Sequence, residues 1–249
     1  MKKLISVLVV LCLAMTLFAA GSVRVGGSFN FLTGKSAKFS ADAEDVLFEL
    51  ANEKVGYKAH GFGFDVAGDY DVASNLSVWA DFNMVFCADA KYKVGDADEE
   101  SFDDAYKYIK NAYDKDAKKA INIISISSGV AYKLDFNPVV VKLGGGLFFE
   151  RSLACMKYKP EVTPGVKADT TVKFKTTNFG VAFYGDVEYK FNEQFGLGLT
   201  VMPHVGLINT TSASVKATVA GVSSNVKDSK TGVRLSFSMP IVVGVSYSF

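Results

Sequence analysis

Histidine is scarce in this sequence, which has only two, His60 and His204, among 249 residues. Histidine is the side chain that enzymes use most often as a general acid or base, and it commonly activates a nucleophile. His204 has no serine two residues further on, and His60 falls on the apolar face of its predicted strand. We therefore expect no catalytic residue and predict that the protein is not an enzyme.

Long apolar runs are absent after the first twenty residues. No later stretch approaches the roughly 18 consecutive apolar residues that a membrane-spanning helix needs. Even so, 49% of the residues are hydrophobic and the mean hydropathy is positive, +0.19. These apolar residues are dispersed by alternation, a pattern typical of membrane strands. The net charge of only +1 gives no excess of basic residues for binding nucleic acid, so we expect no nucleic-acid partner.

The N-terminus has the three parts of a secretory signal peptide. Lys2 and Lys3 form a basic start, an apolar run follows to Phe18, and Ala19–Ala20–Gly21 offers small residues for cleavage. The sequence therefore predicts a signal peptide at 1–21 and one exported domain at 22–249.

The last fifteen residues alternate almost without exception between bulky apolar residues and small or polar ones. This period of two predicts a strand with one apolar face, running from Leu235 to Phe249. Such a strand, with Phe249 last and Tyr247 two before it, resembles the C-terminal signature of bacterial outer-membrane β-barrels. The resemblance implies that Tyr247 and Phe249 are recognised by the machinery that inserts barrels into the outer membrane.

Eight strands of this kind can be placed along the chain. Their connections alternate strictly between long and short, with short turns at 73–75, 135–138 and 192–194. Short turns at the periplasmic side and long loops outside are typical of outer-membrane barrels, and they place both termini in the periplasm. The predicted strands are 23–32, 57–72, 76–88, 121–134, 139–149, 178–191, 195–208 and 235–249.

Alternation alone does not say which face points outward, because a soluble barrel of the lipocalin type alternates too. Volume favours the membrane alternative. Eight strands enclose only enough space for side chains to fill the interior, and the bulky set is too large to fit there. The opposite set is small or charged. Its charged members are the predicted lumen-lining residues, whether structural or pore-forming: Asp65, Asp69, Asp81, Lys142, Asp186, Glu188 and Arg234.

The whole exported part is thus similar to the small eight-stranded outer-membrane barrels, such as OmpA transmembrane domains, OmpX, OmpW and opacity proteins. The predicted fold class is all-β: an eight-stranded antiparallel up-and-down transmembrane β-barrel. Membrane lipid and the insertion machinery are the implied partners, and an aromatic girdle is expected at the short-turn end.

The loops carry further signals. Apolar residues at helical spacing predict an amphipathic helix over 102–117 in the second long loop, and a shorter helix is expected at 42–54 in the first. The acidic run 95–104 has Ser101 and Lys107 where a calcium loop needs Gly and Glu, so no metal or cofactor is expected. Loops three and four alternate and predict strand extensions, with a bulge between Phe174 and Phe179.

Two cysteines fall in the exported part, Cys87 and Cys155. Export permits a disulfide, but a predicted strand separates theirs, and Cα atoms beyond about 7 Å cannot be bridged. A bridge and two free thiols both stay open.

Two classes of function remain open. One is an integral outer-membrane barrel that is a narrow passive pore or a structural element, with small solutes as partners. The other is a surface adhesin whose long loops bind a host or matrix ligand.

Overall fold

The computed structural model describes residues 21–35, 55–94 and 98–249, which form one antiparallel ring of strands and a short helix. Residues 1–20 of the predicted signal peptide, the helix predicted at 42–54 and residues 95–97 of the acidic run fall outside these residues. No helix within the described part is long and apolar enough to cross a membrane. The strands are β1 Gly21–Lys35, β2 Val55–Ala73, β3 Leu76–Val94, β4 Glu100–Ser101, β5 Lys118–Asp135, β6 Val139–Tyr158, β7 Glu161–Thr163, β8 Val166–Lys167, β9 Asp169–Lys190, β10 Phe195–Val201, β11 His204–Val219 and β12 Val222–Ser248.

The ring closes through its first and last strands. Its order is β1, β2, β3, β5, β6, β9, the broken pair β10 and β11, and β12, which returns to β1. β1 and β12 pair from Ser22 opposite Ser248 to Gly34 opposite Ser236. The eight-stranded up-and-down barrel predicted from alternation is confirmed, including the pairing of the terminal strand with the first.

Long strands and short turns give the barrel two unlike ends. At the short-turn end lie Gly21, Phe249 and the turns after β2, β5 and β9, and the amide of Phe249 donates to the carbonyl of Gly21 at 3.0 Å. At the long-loop end the strands continue well past their predicted limits. β11 and β12 meet there in a two-residue turn, in which Ala220 and Gly221 both have positive φ, as a type I′ hairpin requires.

One strand of the ring is interrupted, and this displaces the predicted bulge. β10 ends at Val201 and β11 begins at His204, on either side of Met202 and Pro203. The register shifts between Gly206 and Ile208, so the irregularity lies on β11 and not on β9. The apparent change of parity in β9 has another cause: Phe174 faces inward and packs on an apolar cluster inside the barrel.

The helix α1, Phe102–Ala112, begins where the sequence predicts and ends five residues earlier. Ser101 caps it by accepting a hydrogen bond from the amide of Asp104 at 3.1 Å. Acidic Asp103 and Asp104 in the first turn and Lys110 in the last complement the helix dipole. Phe102 is buried and anchors α1 on the barrel.

The bulky set of alternating residues faces outward and forms the apolar belt, as the volume argument predicts. Its members are exposed in the isolated chain because lipid is their solvent, and rings that contact one another mark the short-turn end: Tyr189 with Phe191, Phe195 with Tyr247, and Tyr247 with Phe249. The belt includes Val25, Phe62, Val78, Phe86, Ile126, Val130, Leu143, Leu147, Phe149, Phe179, Phe183, Val187, Leu197, Leu199, Ile208, Val233, Leu235, Val243 and Val245.

Candidate functional site in the barrel lumen

The lumen opens at the short-turn end into a charged vestibule. Its cavity measures about 200 Å³ and is lined by residues that include Asp69, Lys142 and Glu188. Lys142 contacts the carboxylate of Asp69 closely and lies 3.9 Å from that of Glu188. At the rim, Lys133 pairs with Asp71 at 2.5 Å. Cations and anions therefore alternate around the vestibule and largely compensate one another.

Above the vestibule the buried guanidinium of Arg24 organises the carboxylates. Arg24 donates to Asp186 at 2.5 Å and also contacts Thr200, while Asp65 lies 3.7 Å away. The side-chain amide of Asn83 on β3 donates a hydrogen bond to Asp65 at 3.3 Å. Asp81, on the same strand as Asn83, interacts electrostatically with Arg24. Burying charges is tolerated when they are paired and hydrogen-bonded, and Arg24 provides this for Asp186, whereas both carboxylate oxygens of Asp81 are buried without a hydrogen-bond partner in the described part of the chain.

A layer of large side chains then fills the cross-section. Trp79 stacks on Tyr184 with ring centroids 4.5 Å apart, and Phe148 stacks on His204 at 4.3 Å. The space between this layer and the vestibule is a cavity of about 10 Å³, room for about one water molecule. Glycine lets neighbouring strands approach closely at this level, because a Cβ on Gly129 would lie 2.1 Å from the carbonyl oxygen of Gly145.

His204 is hydrogen-bonded on both sides by serines, Ser238 from the adjacent strand β12 and Ser127 from β5 across the lumen. Its Nε2 lies 3.1 Å from the hydroxyl of Ser127, and its Nδ1 lies 3.2 Å from that of Ser238. The ring is completely buried under Phe148. A molecule could reach it only after this stack had moved, so the contacts serve to fix the ring in place.

Further towards the long-loop end the lumen becomes apolar. The side-chain amide of Asn178 donates to buried Glu150 at 3.0 Å, and that of Asn209 donates to the hydroxyl of Tyr57 at 2.7 Å. These hydrogen bonds mark the upper limit of the polar part of the lumen. Above it lies the upper cluster, defined as Leu32, Tyr57, Ala59, Val85 and Ile123 with Phe174 packed against it. A second apolar group, Phe102, Ile121, Ala154 and Met156, joins α1 to the barrel wall.

The structure brings six of the seven predicted lumen-lining residues inside the barrel. Asp65, Asp69, Asp81, Lys142, Asp186 and Glu188 share the vestibule and the Arg24 cluster. The seventh, Arg234, lies apart and half-buried on β12, where the register against β11 shifts.

Four residues that form these lumen contacts were not among the seven predicted lumen-lining residues: Arg24, Glu150, Ser127 and Ser238. Arg24 has the inward parity of β1, so the alternation could have revealed it. Glu150 follows the residue at which the fifth strand was predicted to end, although it too has inward parity. The partners of His204 come from other strands, and only the register brings Ser127 and Ser238 to it.

Cys87 and Cys155 are both free thiols. Cys87 packs against the upper cluster, and β5 separates its strand from that of Cys155, so no bridge forms. Among the residues that the structure describes, no three His, Cys, Asp or Glu side chains are grouped to hold a metal ion.

Comparison with known proteins gives likeness in structure alone. No family model matches the chain, and no curated protein matches its sequence. The outer-membrane protein OprG of Pseudomonas aeruginosa is 13% identical with a TM-score of 0.51, over 92% of this chain and 96% of that one. A major outer-membrane protein of Thermus thermophilus is 13% identical with a TM-score of 0.50, over 90% and 99%.

The prediction that the protein is not an enzyme is corrected by a further likeness. The outer-membrane protease OmpT of Escherichia coli is similar over 93% of this chain and 97% of that one, with 10% identity and a TM-score of 0.46. Barrels of this kind therefore include an enzyme, and scarce histidine does not exclude activity. The likeness assigns no activity to this chain.

The closed ring, the apolar belt around it and the likeness to OprG agree with one another. Side chains that would be unfavourable in water are favourable in lipid, and a closed barrel leaves no strand edge unpaired there. The chain has the fold of the small eight-stranded outer-membrane β-barrels and is an integral outer-membrane protein.

Proposed function

We propose that the barrel is closed along its axis and serves as a structural element that holds a tall surface-exposed part above the membrane. One observation carries this proposal: two independent fillings block the lumen, the stacked layer of Trp79, Tyr184, Phe148 and His204 and the upper cluster beyond it. Solutes entering the vestibule meet a space of about 10 Å³ before the first filling. Of the two predicted roles for the barrel, the structural element is therefore favoured over the narrow passive pore.

Single-channel recording of the refolded chain in a planar bilayer tests the closed state. We expect no discrete conductance steps from the parent protein. Removing one large side chain from each filling, by Phe148→Ala with Ile123→Ala, should produce flickering steps because both fillings are then opened. The matched control is Phe149→Ala with Ile126→Ala, at nearby positions on the same two strands that face outward. Regular steps from the parent protein, like those of a water-filled pore, would contradict the proposal.

The second candidate is binding of a host or matrix ligand through the second long loop. Tyr108 and Tyr113 on and after α1 are 63% and 55% exposed, and their rings meet edge to face with centroids 5.8 Å apart. Exposed aromatic residues are enriched at protein interfaces, and this pair lies at the long-loop end.

Adhesion of cells displaying the protein to immobilised laminin or fibronectin tests this role. Replacing both tyrosines by serine should abolish adhesion, whereas Phe136→Ser, an equally exposed ring at the short-turn end, should leave it unchanged. Adhesion that survives the double change would exclude this aromatic pair as the binding site.

Orientation and assembly complete the proposal. With a signal peptide at 1–21 and the short turns in the periplasm, the long loops and α1 lie outside the cell. Phe249 contacts Tyr247, which in turn contacts Phe195, so the closing strand ends in an aromatic cluster. Deleting Phe249 should reduce assembly in cells far more than it reduces the stability of protein refolded in detergent, if the insertion machinery reads this residue.

A further inference from the structure

The outer face of four neighbouring strands changes character abruptly above the apolar belt. Phe149, Phe179, Ile208 and Val233 lie side by side on β6, β9, β11 and β12, and all four are exposed. They form the last apolar rung. Two residues further along each strand, the next outward rung consists of Arg151, Thr177, Thr210 and Thr231.

Cations continue up this face. Lys175 lies beside Leu153 and Ser212, and the rung above places Lys173 next to Ser214, which is opposite Lys227. With a rise of about 3.3 Å per residue, these rungs lie within roughly 7–20 Å of the last apolar rung along the strands. We call Arg151, Lys173, Lys175 and Lys227 the basic face.

Three cations of the basic face act on the fourth, Lys175. The positive charges of Arg151, Lys227 and Lys173, together with partial desolvation, lower the pKa of Lys175. Among the described residues, no ion pair within 4.0 Å involves any member of the basic face. Like charges on adjacent strands are destabilising, so an anion that neutralised them would stabilise this wall.

Hydroxyl groups lie between the cations. Thr177, Thr210, Ser212 and Ser214 share the outward parity and occupy the positions next to Arg151, Lys175 and Lys173. Hydroxyls can donate to phosphate oxygens, while Arg and Lys supply charge and further donors. The combination is that of a surface for phosphate groups.

The opposite wall differs from the basic face because acidic groups accompany its cations. On β2 and β3, Lys58 pairs with Glu99 at 3.0 Å. Asp89 accepts hydrogen bonds from the hydroxyl of Ser101 and from the amide of Asp103, both at 2.9 Å. Acidic groups thus share this wall with its cations, although Lys91 and Lys93 on β3 form no ion pair within 4.0 Å among the described residues.

We propose that the basic face binds the phosphate groups of anionic lipid headgroups in the membrane leaflet at the long-loop end. The position of the face identifies the lipid as the ligand. It points sideways from the barrel and not into a loop cleft, and it begins one rung above the apolar belt, where headgroups meet the protein. Anionic headgroups attract Lys and Arg near the membrane surface, and this attraction weakens with salt.

Lipid selectivity of the whole exported chain, refolded into phosphatidylcholine bilayers, tests the proposal. Spin-labelled phosphatidic acid reports its association with the barrel relative to spin-labelled phosphatidylcholine. We expect phosphatidic acid to be preferred at least about threefold at low salt and the preference to shrink at high salt. The variant Arg151→Gln, Lys173→Gln and Lys175→Gln should lose most of it.

The control variant, Lys91→Gln, Lys93→Gln and Lys115→Gln, removes the same charge from the other wall and its loop and should keep the preference. Heat-modifiable migration on gels verifies that both variants are folded. Equal selectivity in the parent and the basic-face variant would overturn the proposal. So would absence of lipid preference combined with retention on a soluble polyanion such as dextran sulfate, because the face would then bind a soluble ligand.

Discussion

The two halves of the barrel differ in which side of the wall is apolar and which is polar. In the half nearer the short turns, the outward positions are apolar and the lumen holds Arg24, Asp186 and their neighbours. In the half nearer the long loops, the outward positions carry Arg151, Lys173 and hydroxyl residues, and the lumen holds the upper cluster. The inversion occurs within one rung, between Phe149 and Arg151.

The difference follows from the solvent outside. Where lipid surrounds the wall, apolar side chains are favourable outside, and polar groups can only be satisfied within. Where water surrounds the wall, burial of apolar surface again drives packing inward, as in a soluble barrel. One chain thus contains a membrane barrel and a soluble-type barrel that share the same strands, and the level of the inversion marks the membrane boundary.

The largest expected effect concerns the ions of the membrane half. Arg24→Met leaves Asp186 and Asp65 buried without their cation, and we expect the free energy of unfolding to fall by roughly 3–5 kcal/mol. Unfolding of the refolded protein by urea in detergent micelles measures this. Adding Asp186→Asn to the variant should restore part of the loss, because one uncompensated charge is removed. A single variant as stable as the parent would show that the cluster is not ionised.

The same substitution placed outside each half tests the inversion directly. Leu143→Arg puts a charge in the apolar belt and should cost roughly 2–4 kcal/mol, whereas Thr177→Arg, one rung above the belt, should cost almost nothing. Folding yield and urea unfolding in bilayers compare the two. Similar losses at both positions would mean that the membrane boundary lies elsewhere.

Packing in the upper half gives the next test. Ile123 is fully buried in the upper cluster, and Ile123→Val removes one methylene group at a cost of roughly 0.5–1.5 kcal/mol. The control is Ile126→Val on the same strand, which faces lipid and should change stability less. If Ile126→Val lowered the free energy of unfolding more than Ile123→Val does, the upper lumen would not be a packed core.

The smallest effect is expected at the helix that covers the upper half. Ser101→Ala removes the cap of α1 and should cost about 1 kcal/mol of local stability. Hydrogen exchange of the α1 amides should accelerate while the exchange of the strands stays unchanged. Ser101→Asp, which preserves an acceptor, serves as the control. Faster exchange across the whole barrel would indicate that α1 supports the wall as well as covering it.

Sequence alone predicted the membrane half well, because the pattern there has a period of two and lipid keeps every bulky residue outside. The strands, the short turns, the closure of the last strand on the first and most of the inward charges were predicted, although Arg24 was missed. The upper half was harder, because the inversion places Phe174 inside and Phe179 outside on one strand. That change of side resembles a bulge when only the sequence is available.

The contacts that join distant strands across the lumen could not be predicted. Ser127, His204 and Ser238 lie on three strands, and Arg24 meets Asp186 across 162 positions of chain. Alternation reports the face that a residue occupies but not its height, and height is fixed by register. Arg234 shows the same limit, since its parity is inward but its level is beyond the paired charges.

The length of β12 has a consequence for the order of events in assembly. This strand pairs with β1 on one side and with β10 and β11 on the other. Because it is the last strand of the chain, the ring cannot close on either side until β12 is in place. Until it arrives, β1 and β10 each lack a partner, and such exposed edges are prone to aggregate. Ring closure is therefore a late step of folding, and a chain that lacked β12 would be left as an open sheet with two unpaired edges.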